Sequence, residues 1–292
     1  MNNYKNLSII IVTYKSDEII YKFIKKIPKK INVIIVENSK NTELKKNLEK
    51  KFKNTKVYLR KNEGVASSIN YGVKKSNTKY IIHLSPDMSL NFNDIDKFFY
   101  YAKKLKDRFC ALGPRFTNVK KKGHVQIEKS LKIGQIDSIH GSYMFMNKKR
   151  FNEIGGWDKN IFLFFEETDF CYRGKIKNLF CYQINSIKTK TIDTTVKIND
   201  KQLKNNWQNL LRWHFIWSKF YLSKKKYGKL LSIIFFLPII LRVIFRISLY
   251  YFINDKNKLT KYKFRLNGLM NSIIGNKSFL RLEHIKIKHP IH

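Results

Sequence analysis

The sequence predicts an α/β protein: a doubly wound, mostly parallel sheet followed by a basic, hydrophobic helical region. Three observations carry this reading. The first 90 residues alternate β-branched runs with amphipathic segments. Each apolar run ends in a short polar cluster, the place where open α/β sheets bind their ligands. Residues 201–292 then change character, with 19 Lys and Arg against two acids around a long apolar stretch.

LSIIIVTY (7–14) is a continuous β-branched run, as expected of a strand buried on both faces. Ser16 and Asp17 offer an N-cap to the amphipathic EIIYKFIKKI. Strand INVIIVEN (31–38), helix TELKKNLEKKF (42–52), strand KVYLRKN (56–62), helix VASSINYGVKKS (65–76) and strand KYIIHL (79–84) follow. The polar clusters after the four strands are Thr13-Tyr14, Glu37-Asn38-Ser39, Asn62-Glu63-Gly64 with Asn70 a helical face later, and Ser85-Pro86-Asp87. Any one of them reads as an ordinary turn, but four at convergent positions point to a ligand cleft. A second block, 107–190, is richer in strand signals: FCALGPRF, HVQIEKSLKI and SYMFMN. KRFNEIGGW reads as a short helix stopped at Gly155-Gly156, and FEETDFCYRGKI as another with Thr168 as N-cap.

FFEETDF (164–170) sets Glu166, Glu167 and Asp169 among aromatic residues. Carboxylates in such surroundings need a partner, a metal or a chemical role, and a raised pKa suits a general base. A loop simply pairing with lysines is the alternative.

The chain carries 59 Lys and Arg against 21 Asp and Glu, a net charge of +38. An anionic partner is implied, although the dominance of Lys over Arg argues against base readout and part of the excess reads as a solvated surface. Cys110, Cys171 and Cys181 form no CxxC pair and read as buried thiols of a reducing compartment. MNNYKNLSIIIVTY passes directly into a short strand and fits no secretory peptide. GxGxxG, GxxxxGK[ST], HExxH and GxSxG are all absent, which disfavours dinucleotide, P-loop, zinc-protease and α/β-hydrolase chemistry.

Taken together, IIIVTY, VIIVENSK, KNEGVASSINYG, YIIHLSPDMSL, GSYMFMNKKRFNEIGGWDKNIFLFFEETDFCYR and NGLMNSIIGNKS resemble the inverting GT-A-fold glycosyltransferases of family 2, in particular their rhamnosyltransferase-like branch. The resemblance spans nearly the whole chain. It implies a GT-A-type catalytic domain over 1–200, with a nucleotide-binding half (1–90) and an acceptor and catalytic half (91–200). Residues 201–292 would associate with a membrane. Thr13 and Tyr14 would line the nucleotide pocket, Glu37 would hydrogen-bond the pyrimidine, and Asn38 and Ser39 would complete that loop. Asn62, Gly64 and Asn70 would lie along the nucleotide and ribose. Asp87, in the SPD motif with Ser85, would hold Mg²⁺ or Mn²⁺ on the donor diphosphate. Gly156 and Trp157 would lie by the donor sugar and acceptor. Glu167 would be the general base, Asp169 would organise its loop, and the role of Glu166 is left open.

Such transfer needs a neutralised leaving diphosphate and a base that takes the acceptor proton, the latter worth ~10²–10⁴-fold. Two departures stand out. Ser85 replaces the usual first acid, and KTKTIDTTVKIND (188–200) lacks the family's histidine, leaving Asp193, Lys188 or Lys190 near that place.

The stretch LLSIIFFLPIILRVIFRISLYYFI (230–253) is long enough to span a bilayer, but Arg242 and Arg246 fall near its middle. Helices lying in an anionic cytoplasmic leaflet suit the pattern better, with a packed helical hairpin or a true span as alternatives. The expected partners are a nucleotide-diphosphate sugar, a lipid-linked or glycan acceptor and an anionic membrane surface. No specific nucleic acid is expected, and a homodimer is allowed. The donor expected first is dTDP-rhamnose and next a UDP-hexose or UDP-HexNAc. A non-catalytic basic membrane- or nucleic-acid-binding module is the reading from another class.

Overall fold

The computed structural model describes residues 3–89, 91–118, 125–192 and 200–285. The chain divides into two compact units: Met1–Lys159 with Glu166–Lys197, and Asn160–Phe165 with Ile198–His292.

The first unit is built on an eight-stranded sheet. Its strands are β1 (Leu7–Thr13), β2 (Asn32–Glu37), β3 (Thr55–Leu59), β4 (Tyr80–Leu84), β5 (Ala111–Phe116), β6 (Ile133–Ile136), β7 (Tyr143–Asn147) and β8 (Cys181–Thr189). They lie in the order β3-β2-β1-β4-β7-β5-β8-β6. The β3-β2-β1-β4 half is parallel, as its continuous apolar runs require. Helices α1 (Asp17–Ile24), α2 (Thr42–Lys51) and α3 (Val65–Lys75) supply the crossovers. β7 then enters antiparallel between β4 and β5, while β5 and β8 are again parallel. Helix α4 (Ile95–Lys104), for which the sequence reading assigned no element, precedes β5.

This order places the topological switch between β1 and β4, since β1 leads to β2 on one side and β4 returns on the other. Thr13 pairs with Glu37 and Glu37 with Leu59, so three strands end level at one edge. Ile10 pairs with His83, which brings Ser85–Asp87 to the same edge. β7 runs the opposite way, so its first residue, Tyr143, faces Leu84 and the preceding Gly141-Ser142 also arrives there.

Helix α5 (Lys148–Ile154) ends as expected, with Gly155 left-handed at φ 92°. Helix α6 (Glu166–Ile176) starts three residues before the position a Thr168 N-cap implies. Thr168 is therefore not its N-cap. It sits in the first turn, with its hydroxyl 3.4 Å from Glu167 Oε1.

The second unit comprises α7 (Lys201–Tyr227), α8 (Lys229–Phe252) and α9 (Lys256–Ile274). Gly268 lets α9 approach α7 closely, because a Cβ there would meet the Trp213 carbonyl at 2.6 Å. Trp213 Nε1 donates to Asn267 Oδ1 (2.8 Å) and Ser272 Oγ to the Trp217 carbonyl (2.9 Å), which accounts for the closing NGLMNSIIG motif. Asn160–Phe165 groups with these helices rather than with the sheet: Phe162 stacks on His214, Phe164 and Phe165 meet Phe215, and Ser218 donates to the Leu163 carbonyl.

α8 is a single helix despite Pro238, and it is long and apolar enough to cross a membrane. Ser232, Phe236, Val243 and Tyr250 form its buried stripe. Leu230, Ile234, Phe235, Leu241, Phe245 and Phe252 are all exposed, a run of large apolar side chains along one helix.

Candidate active site

The site grows from the shared edge of the sheet. Glu37 is fully buried at the end of β2 and organises the following loop. Its carboxylate accepts from the Ser39 backbone N–H (2.9 Å), the Asn41 backbone N–H (2.8 Å) and the Ser39 hydroxyl. Asn38 is held by Ser68 of α3 at 2.9 Å, and its backbone N–H donates to the Thr13 carbonyl at 2.9 Å. Thr13 Oγ1 is buried and has no hydrogen-bond partner among the described residues. Tyr14 is half-buried beside it. Asn62 accepts from the Gly64 backbone N–H (3.2 Å), and Gly64 enters α3 at φ 97°, a conformation suited to glycine. A cavity of about 480 Å³ opens between the loops after β1 and β2, lined by Lys15, Ser16, Asp17, Ser39 and Asn41. A second, of about 800 Å³, lies beside Lys79, Lys106 and Lys148 and contains none of the expected site residues.

Two expected ligand contacts take a different form. Asn70 faces the GGW loop, donating to the Trp157 carbonyl at 2.7 Å and accepting from its N–H at 2.9 Å. Both ends of its amide are thereby engaged in fixing that loop. Trp157 is 2% exposed and turned into the core, edge-on to His83 with ring centroids 5.6 Å apart. Its indole is thus a packed wedge beneath the site and not an open sugar platform. Burial pushes the His83 imidazole down to about 4.

Ser85-Pro86-Asp87 continues β4. The Ser85 N–H donates to the Ser142 carbonyl (2.8 Å), and the end of β8 pairs alongside, with Ile192 N–H on the Asp87 carbonyl (2.7 Å) and Lys190 bonded to Ser89. Lys190 therefore lies next to the SPD segment. Asp193 falls outside the described residues. Asp87 is partly exposed at the switch point, and a carboxylate there is a donor fit for a hard divalent ion.

The acidic segment reaches the same edge from the other side. Gly141, one residue before Ser142, lies against Glu167: a Cβ on it would stand 3.3 Å from both Glu167 Cγ and Oε2. The chain Asp87–Ser85–Ser142–Gly141–Glu167 thus joins the two acidic motifs. Phe164 and Phe165, both left-handed at φ 71° and 66°, turn the backbone sharply into α6. For aromatic residues this is strained geometry, of the kind that collects at functional sites.

The three carboxyls now separate. Asp169 is fully buried and bonds Arg173 Nε at 2.8 Å, while Arg173 also donates to the carbonyls of Ile154 (2.7 Å) and Gly156 (2.6 Å). It braces α6 to the Gly155-Gly156 turn. Arg173 escaped the sequence reading, although its i, i+4 spacing from Asp169 was the available signal. Glu166 is buried, its Oε2 has no hydrogen-bond partner among the described residues, and burial followed by the neighbouring Glu167 raises its carboxyl well above the usual range. Burial pushes Glu167 up to about 7. Neighbouring carboxyls with different proton affinities divide acid and base roles.

The matches to known proteins agree with this architecture. Residues 8–168 match the family model Glycosyl transferase family 2. The low-salt glycan biosynthesis hexosyltransferase Agl10 of Haloferax volcanii is 26% identical over 219 residues, 65% of this chain and 69% of that protein. The mannosyltransferase PcManGT from Pyrobaculum calidifontis, solved with GDP-Man and Mn²⁺, superposes with a TM-score of 0.56 at 11% identity, covering 92% of this chain and 87% of that one. GalNAc-T7 with UDP, GalNAc and Mn²⁺ gives a TM-score of 0.55 at 15% identity, covering 66% of this chain and 45% of that one. The chain thus spans less than half of GalNAc-T7. With a level row of strand ends, a paired SPD segment and an acidic helix start meeting at one edge, the chain belongs to glycosyl transferase family 2 and is a GT-A-fold glycosyltransferase.

Proposed function

We propose that the protein transfers a hexosyl unit from a nucleotide-diphosphate sugar to a glycan or lipid-linked acceptor by a single inverting displacement, with Glu167 as general base. The observation that carries this reading is the Glu166-Glu167 pair. Burial raises both carboxyls, Glu167 to about 7, and Glu167 lies against Gly141 at the strand-end edge. Glu167 takes the acceptor hydroxyl's proton as its oxygen attacks the anomeric carbon, and the nucleoside diphosphate departs from the opposite face. Glu166, buried behind Glu167, keeps a second negative charge away from the base. Thr13, Tyr14, Asn38, Ser39, Asn62 and Gly64 form the nucleotide edge, and Glu37, fully buried with both oxygens engaged by Ser39 and Asn41, shapes the loop that receives the base instead of meeting the base itself.

Asp87 is the residue that would hold Mg²⁺ or Mn²⁺, which when bound supplies charge neutralisation on the diphosphate. Lys190, alongside, adds a positive charge to the same segment. The Agl10 likeness supports a hexosyl donor; dTDP-rhamnose is the first donor to test and UDP-hexoses or UDP-HexNAcs the next. The exposed apolar face of α8, within a region of 19 basic and two acidic residues, supports association with the anionic cytoplasmic face of a membrane, where lipid-linked acceptors are met.

The test is nucleotide release from a panel of sugar donors in detergent with a lipid-linked acceptor extract, in Mg²⁺, Mn²⁺ or EDTA. Release from one donor that needs acceptor and stops with chelator is expected. Metal-independent release would remove Asp87 as an ion ligand, and no release with any donor would refute the proposed activity.

A further inference from the structure

Away from the strand ends the fold gathers three cysteines that the sequence scatters. Cys110 immediately precedes β5, Cys171 lies in the second turn of α6, and Cys181 opens β8. Ala111 pairs with Cys181, so two of the thiols sit on adjacent parallel strands. α6 crosses over them closely: a Cβ on Gly174 would meet Cys110 Sγ at 2.6 Å. All three side chains are buried, and their sulfurs lie within 4.8 Å of one another.

Buried cysteines often act as small apolar residues, and three could share a core by chance. The surroundings here are not purely apolar. Polar groups lie beside the cluster, Ser138 and the Ile139 backbone near Cys171 and Arg173 near Cys110. Polar groups around the ligands are what orient them in a metal site. Three thiolates at ~2.3 Å around one cation in a trigonal plane stand about 4.0 Å apart, so the sulfurs need close by less than an ångström.

We propose that Cys110, Cys171 and Cys181 form a three-thiolate site for a soft d¹⁰ cation, Zn²⁺ or Cu⁺, that staples α6 to β5 and β8. On binding, each thiol releases its proton to solvent and its sulfur lone pair forms the bond to the cation, with no electron transferred. Thiolate-only ligation selects soft ions over Mg²⁺ and Mn²⁺, so the site is chemically distinct from Asp87. The lack of a fourth protein ligand within the cluster favours Cu⁺, whereas Zn²⁺ leaves less net negative charge in a buried site. The staple holds the helix whose first turn carries Glu166, Glu167 and Asp169, but the proposal does not depend on what those residues do.

The test uses the full-length protein produced in medium supplemented with Zn²⁺ or Cu⁺ and purified anaerobically with reductant. One cation per chain, three sulfur neighbours at ~2.3 Å by X-ray absorption, and a melting temperature above that of the chelator-stripped protein are expected. Retention of one cation over the other identifies the ion. Cys171→Ala should lose both the cation and the thermal gain, and Glu167→Gln should lose neither. Should Cys171→Ala fail to fold, the sulfur count on the unsubstituted protein decides. Less than a tenth of a cation per chain in both media, or a bound ion with only nitrogen and oxygen neighbours, would overturn the proposal.

Discussion

Replacing Asp169 by Asn tests whether the acidic helix is braced as described. The substitution keeps the shape of a fully buried side chain but removes the charge that Arg173 Nε meets at 2.8 Å. Breaking one side of a buried pair costs ~3–5 kcal/mol. Arg173 is 22% exposed and retains the Ile154 and Gly156 carbonyls, so part of its charge stays solvated and accepted. The cost therefore falls at or just below the foot of that range, about 2–3 kcal/mol. At ~2–4 °C per kcal/mol for a unit of this size, the first thermal transition should fall by roughly 5–10 °C. Turnover should drop several-fold, because Arg173 also fixes the Gly155-Gly156 turn, while nucleotide affinity should hold, because Glu37 and Asn38 are organised by other contacts. Scanning calorimetry, nucleotide titration and initial rates measure the three quantities. A transition within 1 °C of the parent with unchanged turnover would refute the bracing.

Other outcomes follow from the same geometry. As the proposed base Glu167 would have to lose its proton, so turnover should rise with pH through about 7 and then level. Stability should move the opposite way: Glu167 keeps its proton to about 7 when folded but only to about 4.5 when unfolded, so its contribution is present below 4.5 and lost as pH rises to 7. Flat profiles for both would contradict the raised carboxyl. Gly141→Ala places a methyl 3.3 Å from Glu167 Oε2 and should lower turnover roughly tenfold with little thermal change; full activity would show that the contact yields freely. Gly268→Ala presses on the Trp213 carbonyl and should cost about 1–3 kcal/mol in the helical unit, read by denaturant titration. Phe235→Asp with Phe245→Asp should release the protein from anionic vesicles in a flotation assay without altering its melting; retained binding would remove α8 as the membrane face.

The nucleotide half of the fold was legible because its signals are local. Each of the first four strands is a self-contained β-branched run, and each ends in turn residues that the structure places at one edge. The second half was less so, because β7 pairs antiparallel with β4 across some 60 residues and no local pattern encodes that partner. Asn160–Phe165 could not be assigned from sequence for a similar reason: its attachment is to aromatic residues of α7, about 50 positions later. The start of α6 was missed at Thr168 because two left-handed aromatic residues, not a capping side chain, turn the chain into it. Asn70 and Trp157 were recognisable as special positions, but their engagement with each other appears only once α3 and the GGW loop are in place. The cysteine cluster had no sequence signal, since its spacing is 61 and 10 residues between successive thiols.

Glu167 is proposed here as the proton acceptor in a glycosyl transfer. That role is tested most directly by comparing single-turnover rates of the parent and Glu167→Gln on the same donor, with nucleotide affinity and melting temperature measured on both. A rate loss of ~10²–10⁴-fold is expected, with affinity unchanged and melting not lowered. A Glu167→Gln protein that turns over within a few-fold of the parent would contradict it.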